Sequence, residues 1–278
     1  MLLIYVITGL LSGLIAGILG IGGGIIVVPA LLYGFEVGHV VLDTQAMHMA
    51  AGSSLAIMVF TALASFHGHY QKGMIQWSLY RQLMPGIALG TILGGIGANH
   101  LSTAHLKIAF ALFLFYVAYR MSLKHTPDER VVIKASLWQK ASAVIMGGLS
   151  GMLGIGGGTL VITYLSARGV MLRVAMAVAS SVTLTVAIIG TVTFMMVGFN
   201  EPALPAWSTG YIYWPAVLAV AALSTVSARF GSHIAYRLPI KLLQGFFVAM
   251  ILITAVHMLY SGLSYHLFSM PRGVDIAN

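Results

Sequence analysis

Long apolar segments, separated by short polar ones, run along nearly the whole chain and allow very few kinds of fold. Only 7% of the 278 residues are charged, whereas soluble globular proteins carry about 25%. So few charges cannot cover the surface of a soluble protein, which excludes soluble enzymes. The net charge of +8 does not indicate nucleic-acid binding, because Lys and Arg in membrane proteins first report orientation.

The apolar segments predict an all-α polytopic membrane protein. The alternating pattern of a membrane β-barrel is absent, and helices satisfy their own backbone groups in lipid. Segments 22–33 and 158–167 are too short to cross a hydrocarbon core of about 30 Å. The predicted segments are 2–19, 22–33, 44–66, 78–98, 103–121, 138–153, 158–167, 174–198, 210–228 and 239–262.

The chain is an internal duplication, because one glycine-rich motif occurs twice in the same context. Residues 17–24 read GILGIGGG and residues 151–158 read GMLGIGGG. Further matches keep the same order, namely Ser53 and Ser54 with Ser180 and Ser181, and Pro85 with Pro215. We expect each of the two prolines to open the third long helix of its half.

Each half is predicted to be a helix hairpin around the glycine turn followed by three transmembrane helices. The first repeat, 1–122, has its hairpin at 2–33 and its transmembrane helices at 44–66, 78–98 and 103–121. The second repeat, 138–278, has its hairpin at 138–167 and its transmembrane helices at 174–198, 210–228 and 239–262. The polar stretch 123–137 between them is predicted to be a cytoplasmic linker.

The distribution of Lys and Arg predicts that the two repeats are inverted. With four full crossings per repeat and the N-terminus inside, eight of the fourteen basic residues lie inside. If each hairpin enters and leaves on one side and the N-terminus is outside, twelve lie inside and only Lys107 and Arg272 outside. The positive-inside rule favours the second arrangement, whether the hairpin arms span fully or are re-entrant. Inverted repeats with broken helices are a transporter architecture.

The glycine turns are the strongest candidate for a binding site. Three consecutive glycines do not share a helix face, so they predict a break in the helix, although close helix packing is the alternative. New helices are expected near Ile25 and Thr159, and helix N-termini attract anions. Inversion would bring both termini to one site. The predicted substrate-binding residues of the turns are Gly20, Gly22, Gly23, Gly24, Ile25, Gly154, Gly156, Gly157, Gly158 and Thr159.

Four serines at matched positions extend this predicted substrate site. Ser53, Ser54, Ser180 and Ser181 carry hydroxyl groups that can donate to an oxyanion. The alternative is that they hydrogen-bond to the preceding turn of their own helices, which is common for serine in membrane helices. Their matched positions in two inverted repeats favour the site.

Gln45 and His48 are candidates for proton coupling. They lie on one face of a predicted helix, and an imidazole titrates near neutral pH. A histidine satisfied near the outer surface is the alternative. No metal site is predicted, because His67 and His69 do not share a helix face, and no catalytic set of residues is visible.

The sequence resembles the TauE/SafE family, also called the sulfite exporter or toluene-sulfonate uptake permease family. The resemblance rests on the two GIGGG turns, VPALL at 28–32, AGSSL at 51–55 and HYQKG at 69–73 before Trp77. It covers nearly the whole chain. It implies a transporter of the bacterial inner membrane that moves sulfite, sulfonates such as sulfoacetate, or related small organic anions.

The combined prediction is a secondary transporter, not an enzyme, that moves a small anion by alternating access, with His48 as the proton-coupling candidate. Both termini are then predicted to be periplasmic. An anion channel with the same site, or a membrane scaffold or sensor subunit without transport, are the alternatives. No cofactor or metal is expected. The expected partners are the small anionic substrate and the lipid bilayer, with no nucleic acid.

Overall fold

The computed structural model describes residues 2–19, 22–122, 137–201, 204–234 and 240–268. Within these ranges the chain forms ten helices and one short β-hairpin. The helices are α1 (Leu2–Leu19), α2 (Gly24–Val37), α3 (Ala46–Gln71), α4 (Trp77–Asn99), α5 (Thr103–Ser122), α6 (Leu137–Leu153), α7 (Gly158–Ala167), α8 (Leu172–Val197), α9 (Trp214–Ile234) and α10 (Ile240–Phe268). The strands are β1 (Ser208–Thr209) and β2 (Ile212–Tyr213). Gly20 and the predicted linker at 123–137, apart from Leu137, lie outside the described residues.

The helices confirm the all-α class and have the apolar character of a membrane protein. Among the described residues, α3 and α8 are long and apolar enough to cross a membrane. Shorter apolar stretches lie in α1, α2, α7, α9 and α10. Helix α7 has 10 residues, so it is only about 15 Å long, about half of a hydrocarbon core.

Two local predictions are wrong. Pro85 does not open a helix, because it lies inside α4, which begins at Trp77. Proline is tolerated inside membrane helices where neighbouring groups satisfy the freed backbone. Residues 210–213, predicted as the start of a membrane helix, instead form the turn and second strand of the β-hairpin. Trp207 and Gly210 there have φ of 67° and 55°, which no α-helix accommodates.

The helices of the two halves pack in an exchanged pattern. Helix α1 packs along α9, and α4 packs along α6. Matching helices also pair with each other, α3 with α8 and α5 with α10. The smaller contacts show the same correspondence. Helix α2 packs on α3 and α7 packs on α8, while α4 contacts α8 and α9 contacts α3. Exchanging the two halves therefore leaves this pattern of contacts unchanged, as expected for a duplicated chain.

Glycine residues let two of these helix pairs approach closely, and their contacts show the relative direction of the paired helices. Small residues allow backbone-to-backbone contact between membrane helices. A methyl group on each glycine would meet the partner helix as follows: Gly86 with Ala143, Gly90 with Val144, Gly94 with Gly148, Gly9 with Leu223, and Gly13 with Ser227. In both pairs the contacts advance in the same direction along the two helices. Thus α4 runs parallel to α6, and α1 runs parallel to α9.

The central pair α3 and α8 runs in the opposite sense. Gly52 of α3 faces Phe194 of α8, whereas Leu55, one turn later, faces Gly190 of α8. The contact moves backwards along α8 as it moves forwards along α3, so the two matching helices are antiparallel. Five of the large core side chains with no exposed surface lie on α3, namely Met47, Met49, Leu55, Ile57 and Met58.

Candidate functional site

Each glycine turn is a short stretch of left-handed backbone. Gly22 and Gly23 have φ of 81° and 79°, and Gly156 and Gly157 both have φ of 76°. In the second turn Gly154 also has a left-handed φ, of 72°. Residues with a Cβ rarely adopt this conformation. The glycines are therefore required by the backbone path and are not merely small packing residues.

A helix begins directly after each turn. Helix α2 begins at Gly24 and α7 at Gly158, each one residue before the start predicted near Ile25 and Thr159. Glycine is the N-cap of both helices, and no side chain caps either of them. The first N–H groups of a helix have no intrahelical acceptor, and together they carry about half a positive charge. Both turns therefore present backbone donors.

The two turns lie against each other in the buried core. A methyl group on Gly24 would lie 3.0 Å from the carbonyl oxygen of Gly154 and 3.0 Å from Cα of Ile155. It would also lie 2.9 Å from Sδ of Met58, and a methyl group on Gly156 would lie 2.8 Å from the same sulfur. The predicted substrate-binding glycines of the two halves are thus brought together beside α3.

Met58 and Thr183 stand between the two turns, although the sequence gives no motif for either. Cγ2 of Thr183 would lie 3.0 Å from a methyl group on Gly22 and 2.9 Å from one on Gly156. Met58 is 0% exposed and Thr183 is 2% exposed. A single Met or Thr in an apolar helix looks like any core residue, so only the packing of α3 on α8 identifies them.

The serines of the first half hold other parts of the protein. Oγ of Ser54 donates a hydrogen bond to the carbonyl oxygen of Gly154 in the second glycine turn, at 2.9 Å. Oγ of Ser53 accepts a hydrogen bond from the backbone N–H of Tyr213 in the β-hairpin, at 3.0 Å. Both serines are 0% exposed. They therefore connect α3 to the second half of the chain.

The serines of the second half bond within their own helix. Oγ of Ser180 donates to the carbonyl oxygen of Ala177 at 2.8 Å, and Oγ of Ser181 donates to the same oxygen at 3.3 Å. Hydrogen bonding to the preceding turn of the same helix is the alternative to substrate binding that the sequence left open. Matched serines thus have different partners in the two halves.

His48 lies under the β-hairpin. Its Nε2 lies 3.0 Å from the carbonyl oxygen of Ala98. Because a carbonyl oxygen only accepts, Nε2 carries a proton and donates. The imidazole stacks on the ring of Tyr211, with ring centroids 5.2 Å apart. Nδ1 of His48 is buried and has no hydrogen-bond partner among the described residues.

Gln45 belongs to the same polar cluster at the β-hairpin. Its Nε2 donates to Oε2 of Glu201 at 3.0 Å, and the hydroxyl of Tyr211 donates to Oδ1 of Asn99 at 2.9 Å. Burial, followed by the negative charge of Glu201, raises the pKa of Tyr211 to about 12. The phenol therefore stays protonated and remains a donor at physiological pH.

A buried ion pair connects three helices of the scaffold. Nζ of Lys107 on α5 donates to Oε1 of Glu36 on α2 at 2.6 Å and to Oγ of Ser261 on α10 at 2.9 Å. The side chain of Lys107 is 4% exposed and that of Glu36 is 29% exposed. Among the described residues no three His, Cys, Asp or Glu side chains are grouped as metal ligands.

A helical protein with two buried glycine turns is matched by a family of membrane transporters. The family described as Sulfite exporter TauE/SafE matches residues 5–258. The chain belongs to this family, which covers nearly its whole length. It is accordingly a membrane-embedded protein of a transporter family.

Curated relatives agree with this assignment. A probable membrane transporter protein of Haemophilus influenzae is 32% identical over 260 residues, which cover 92% of this chain and 97% of the relative. A probable membrane transporter protein of Methanocaldococcus jannaschii is 26% identical, covering 87% and 89%. The probable membrane transporter protein YunE of Bacillus subtilis is 21% identical, covering 94% and 98%. No solved structure matches the chain.

Proposed function

We propose that this protein is a secondary transporter that moves a small anion, sulfite or an organosulfonate such as sulfoacetate, by alternating access. The observation that carries the proposal is the meeting of the two glycine turns in the core, next to the N-termini of α2 and α7. The family description, which names sulfite export, supports the substrate class. The bacterial inner membrane is the proposed location.

The chemistry of the turns suits an anion. The side chains that a methyl group on Gly22, Gly24 or Gly156 would meet are Met58 and Thr183, and neither is charged. Two helix N-termini supply about half a positive charge each, so together they balance about one negative charge. Backbone donors do this without the desolvation cost of a buried Lys or Arg.

Inverted repeats are part of the proposal. The antiparallel pairing of the matching helices α3 and α8 supports inverted repeats, because a two-fold axis that relates two antiparallel helices is perpendicular to them. The predicted sides follow from the charge distribution, with both termini in the periplasm. The loops that precede α4 and α9 then lie on opposite sides of the membrane.

Cysteine labelling tests this topology, because the natural chain contains no cysteine. Gln76 and Ala206 are exposed residues of the two matching loops. We expect a membrane-impermeant maleimide to label Ala206→Cys on intact cells and Gln76→Cys only after the cells are permeabilised. Labelling of both from the same side would exclude inverted repeats.

Transport by purified protein in liposomes tests the function. We expect sulfite or methanesulfonate to accumulate against its gradient when a pH gradient is imposed. Flux that only equilibrates the anion would favour the channel alternative, and no flux of any small anion would favour a scaffold or sensor. The pH dependence should weaken in His48→Gln, because His48 is the proposed proton-coupling group and its Nδ1 is a buried site for a proton.

Gly24→Ala tests the site itself. Gly24 has ordinary helical φ, so alanine adds no backbone strain, but its Cβ would lie 2.9 to 3.0 Å from Met58 and the second turn. We expect transport to fall at least about ten-fold, because a displacement of about 1 Å at a binding site has this effect. Gly23→Leu and Gly157→Leu should abolish it. Gly97→Ala is the control, since a methyl group there meets nothing within 4 Å.

A further inference from the structure

Three buried hydroxyl groups without hydrogen-bond partners among the described residues lie at the glycine turns, two at the second turn and one between the turns. Ser150, Thr159 and Thr183 are 1%, 3% and 2% exposed, and none of their hydroxyl oxygens has a partner among the described residues. Serine and threonine in helices usually bond to a carbonyl one turn earlier, as Ser180 does here. Unpaired buried hydroxyls are uncommon and costly, so three at the two glycine turns require an explanation.

The three residues belong to three different helices, α6, α7 and α8. A methyl group on Gly157, the N-cap of α7, would lie 3.2 Å from Oγ of Ser150 on α6. Thr159 is the second residue of α7 itself. Thr183 on α8 stands between the turns, because its Cγ2 would lie 2.9 Å from a methyl group on Gly156 and its Oγ1 4.0 Å from one on Gly22. Ser150 and Thr159 therefore lie at the N-terminus of α7, whose first N–H groups have no intrahelical acceptor, and Thr183 lies between this N-terminus and the first turn.

The first glycine turn shares Thr183 but has no counterpart of Ser150 or Thr159. Aligning the two glycine motifs matches Gly23 with Gly157, and aligning the two serine pairs matches Ser54 with Ser181. In this alignment of the two halves, the counterparts of the three hydroxyl residues are apolar: Ala16 matches Ser150, Ile25 matches Thr159, and Ala56 matches Thr183. The structure agrees, because a methyl group on Gly23 would lie 3.4 Å from Cβ of Ala16. The two turns share a backbone path but differ in every one of these side chains.

We propose that the substrate anion is bound asymmetrically, with its oxygen-bearing head on the second turn and its apolar part against Met58 and the first turn. This inference rests on the proposed transport function. Ser150, Thr159 and Thr183 each donate one hydrogen bond, and the α7 N-terminus supplies the positive potential. The four serines predicted from sequence position the helices and do not contact the anion.

The lining selects a class of substrate. Three hydroxyl donors match the three oxygens of a sulfonate head, and the fourth substituent of the sulfur faces a thioether and apolar residues. Among the described residues that a methyl group on a glycine of the turn would meet, none is Lys or Arg, which favours one negative charge over two. The site therefore binds a small singly charged sulfonate more tightly than sulfate, which has two charges and four oxygens.

Binding of methanesulfonate and sulfate to the purified protein tests the proposal, read as a ligand-dependent shift in unfolding temperature. We expect Thr183→Val and Ser150→Ala each to raise the Kd of methanesulfonate about ten-fold or more, as for a lost hydrogen bond to a charged group. Thr191→Val is the matched control. Thr191 lies two turns further along α8 and is also buried, with a hydroxyl that has no partner among the described residues. The Kd of Thr191→Val for methanesulfonate should stay within about two-fold of that of the natural protein.

Each outcome decides between the two proposals. If the natural protein binds and transports methanesulfonate but both variants bind it equally well, the asymmetric site is wrong while the transport function stands. Tighter binding of sulfate than of methanesulfonate overturns the substrate class. If the natural protein neither binds nor transports any sulfur anion, both proposals fall. Should Thr183→Val not elute as a single species, Ser150→Ala and Thr159→Val decide the question.

Discussion

The two glycine turns have nearly the same backbone and very different surroundings. Gly22 and Gly23 repeat the left-handed φ of Gly156 and Gly157 to within 5°, and both turns lead into a helix with a glycine N-cap. Yet the unpaired hydroxyls of Ser150 and Thr159 lie at the second turn, whereas the first turn has apolar side chains at the matching positions. The duplication thus preserved a backbone that only glycine permits, while the side chains around it diverged.

The loops that precede α4 and α9 differ in the same way. The first is a short connection after α3, whereas the second carries the β-hairpin, whose Tyr211 and Ile212 are 3% and 0% exposed. The β-hairpin packs on α3 and is held by Ser53 and by the cluster around His48. A symmetric scaffold therefore has one end reinforced by an element that only the second half supplies.

The parallel helix pairs, where the two halves are most alike, should give the largest effects. A Cβ on Gly90 of α4 or Gly13 of α1 would overlap backbone carbonyl groups of the partner helix, Val144 and Ser224. We expect Gly90→Ala and Gly13→Ala each to lower the free energy of unfolding by about 3 kcal/mol. Gly148→Ala in the same contact should be tolerated, because its Cβ has 3.6 Å of room. Thermal unfolding in detergent measures this, and equal stability of all three would contradict the parallel packing.

The buried ion pair is the difference between the halves with the next largest expected effect. Val170 in the second half matches Glu36 and carries no charge. Glu36→Gln leaves the ammonium of Lys107 buried, whereas Lys107→Met leaves a carboxylate that is partly exposed. We expect costs of about 2–3 kcal/mol for Glu36→Gln and about 1–2 kcal/mol for Lys107→Met, below the range for a fully buried pair because water screens Glu36. The reverse order, measured by the same unfolding assay, would show that α2 is held by other contacts.

Matched serines give a smaller and more direct comparison. Ser53→Ala removes the acceptor of the Tyr213 N–H, so we expect a loss of about 1–2 kcal/mol. Ser180→Ala removes only a bond within α8, and we expect less than about 0.5 kcal/mol. Because both are serine-to-alanine changes at equivalent buried positions, each serves as the control for the other. Equal losses of stability would mean that the β-hairpin does not depend on α3.

A loss smaller than that of Ser53→Ala is expected within the β-hairpin itself. Tyr211→Phe keeps the stack on His48 and loses the hydrogen bond to Asn99, for a cost of about 1 kcal/mol. The effect should be constant from pH 6 to pH 9, because the raised pKa of about 12 keeps the phenol protonated over that range. Tyr33→Phe is the control, since Tyr33 is 54% exposed. A loss that varies strongly with pH would indicate that His48 titrates beneath the ring.

Much of the fold was predictable, and the candidate site only in part. The helix starts at Gly24 and Gly158 could be predicted, because three consecutive glycines do not share one helix face and therefore indicate a break in the helix. The bonding of the four serines did not follow, because a hydroxyl can bond to its own helix or across to another with nothing local to decide between them. The predicted segment 78–98 matches α4, but Pro85 does not open this helix, since proline opens soluble helices but lies inside membrane helices when neighbours satisfy the backbone.

The sequence by itself determined the all-α membrane architecture, the duplication and the two glycine breaks. Each depends on local properties, namely the hydropathy of a segment, a repeated motif, or backbone angles open only to glycine. Only the tertiary structure decided that the two turns touch, that Met58 and Thr183 stand between them, and that the hydroxyls of Ser150, Thr159 and Thr183 have no partners among the described residues. The contacts of Gly24 with Gly154 and of Gly22 with Thr183 join residues more than 100 positions apart, and such pairs meet only through the packing of α3 against α8 and α6 against α4.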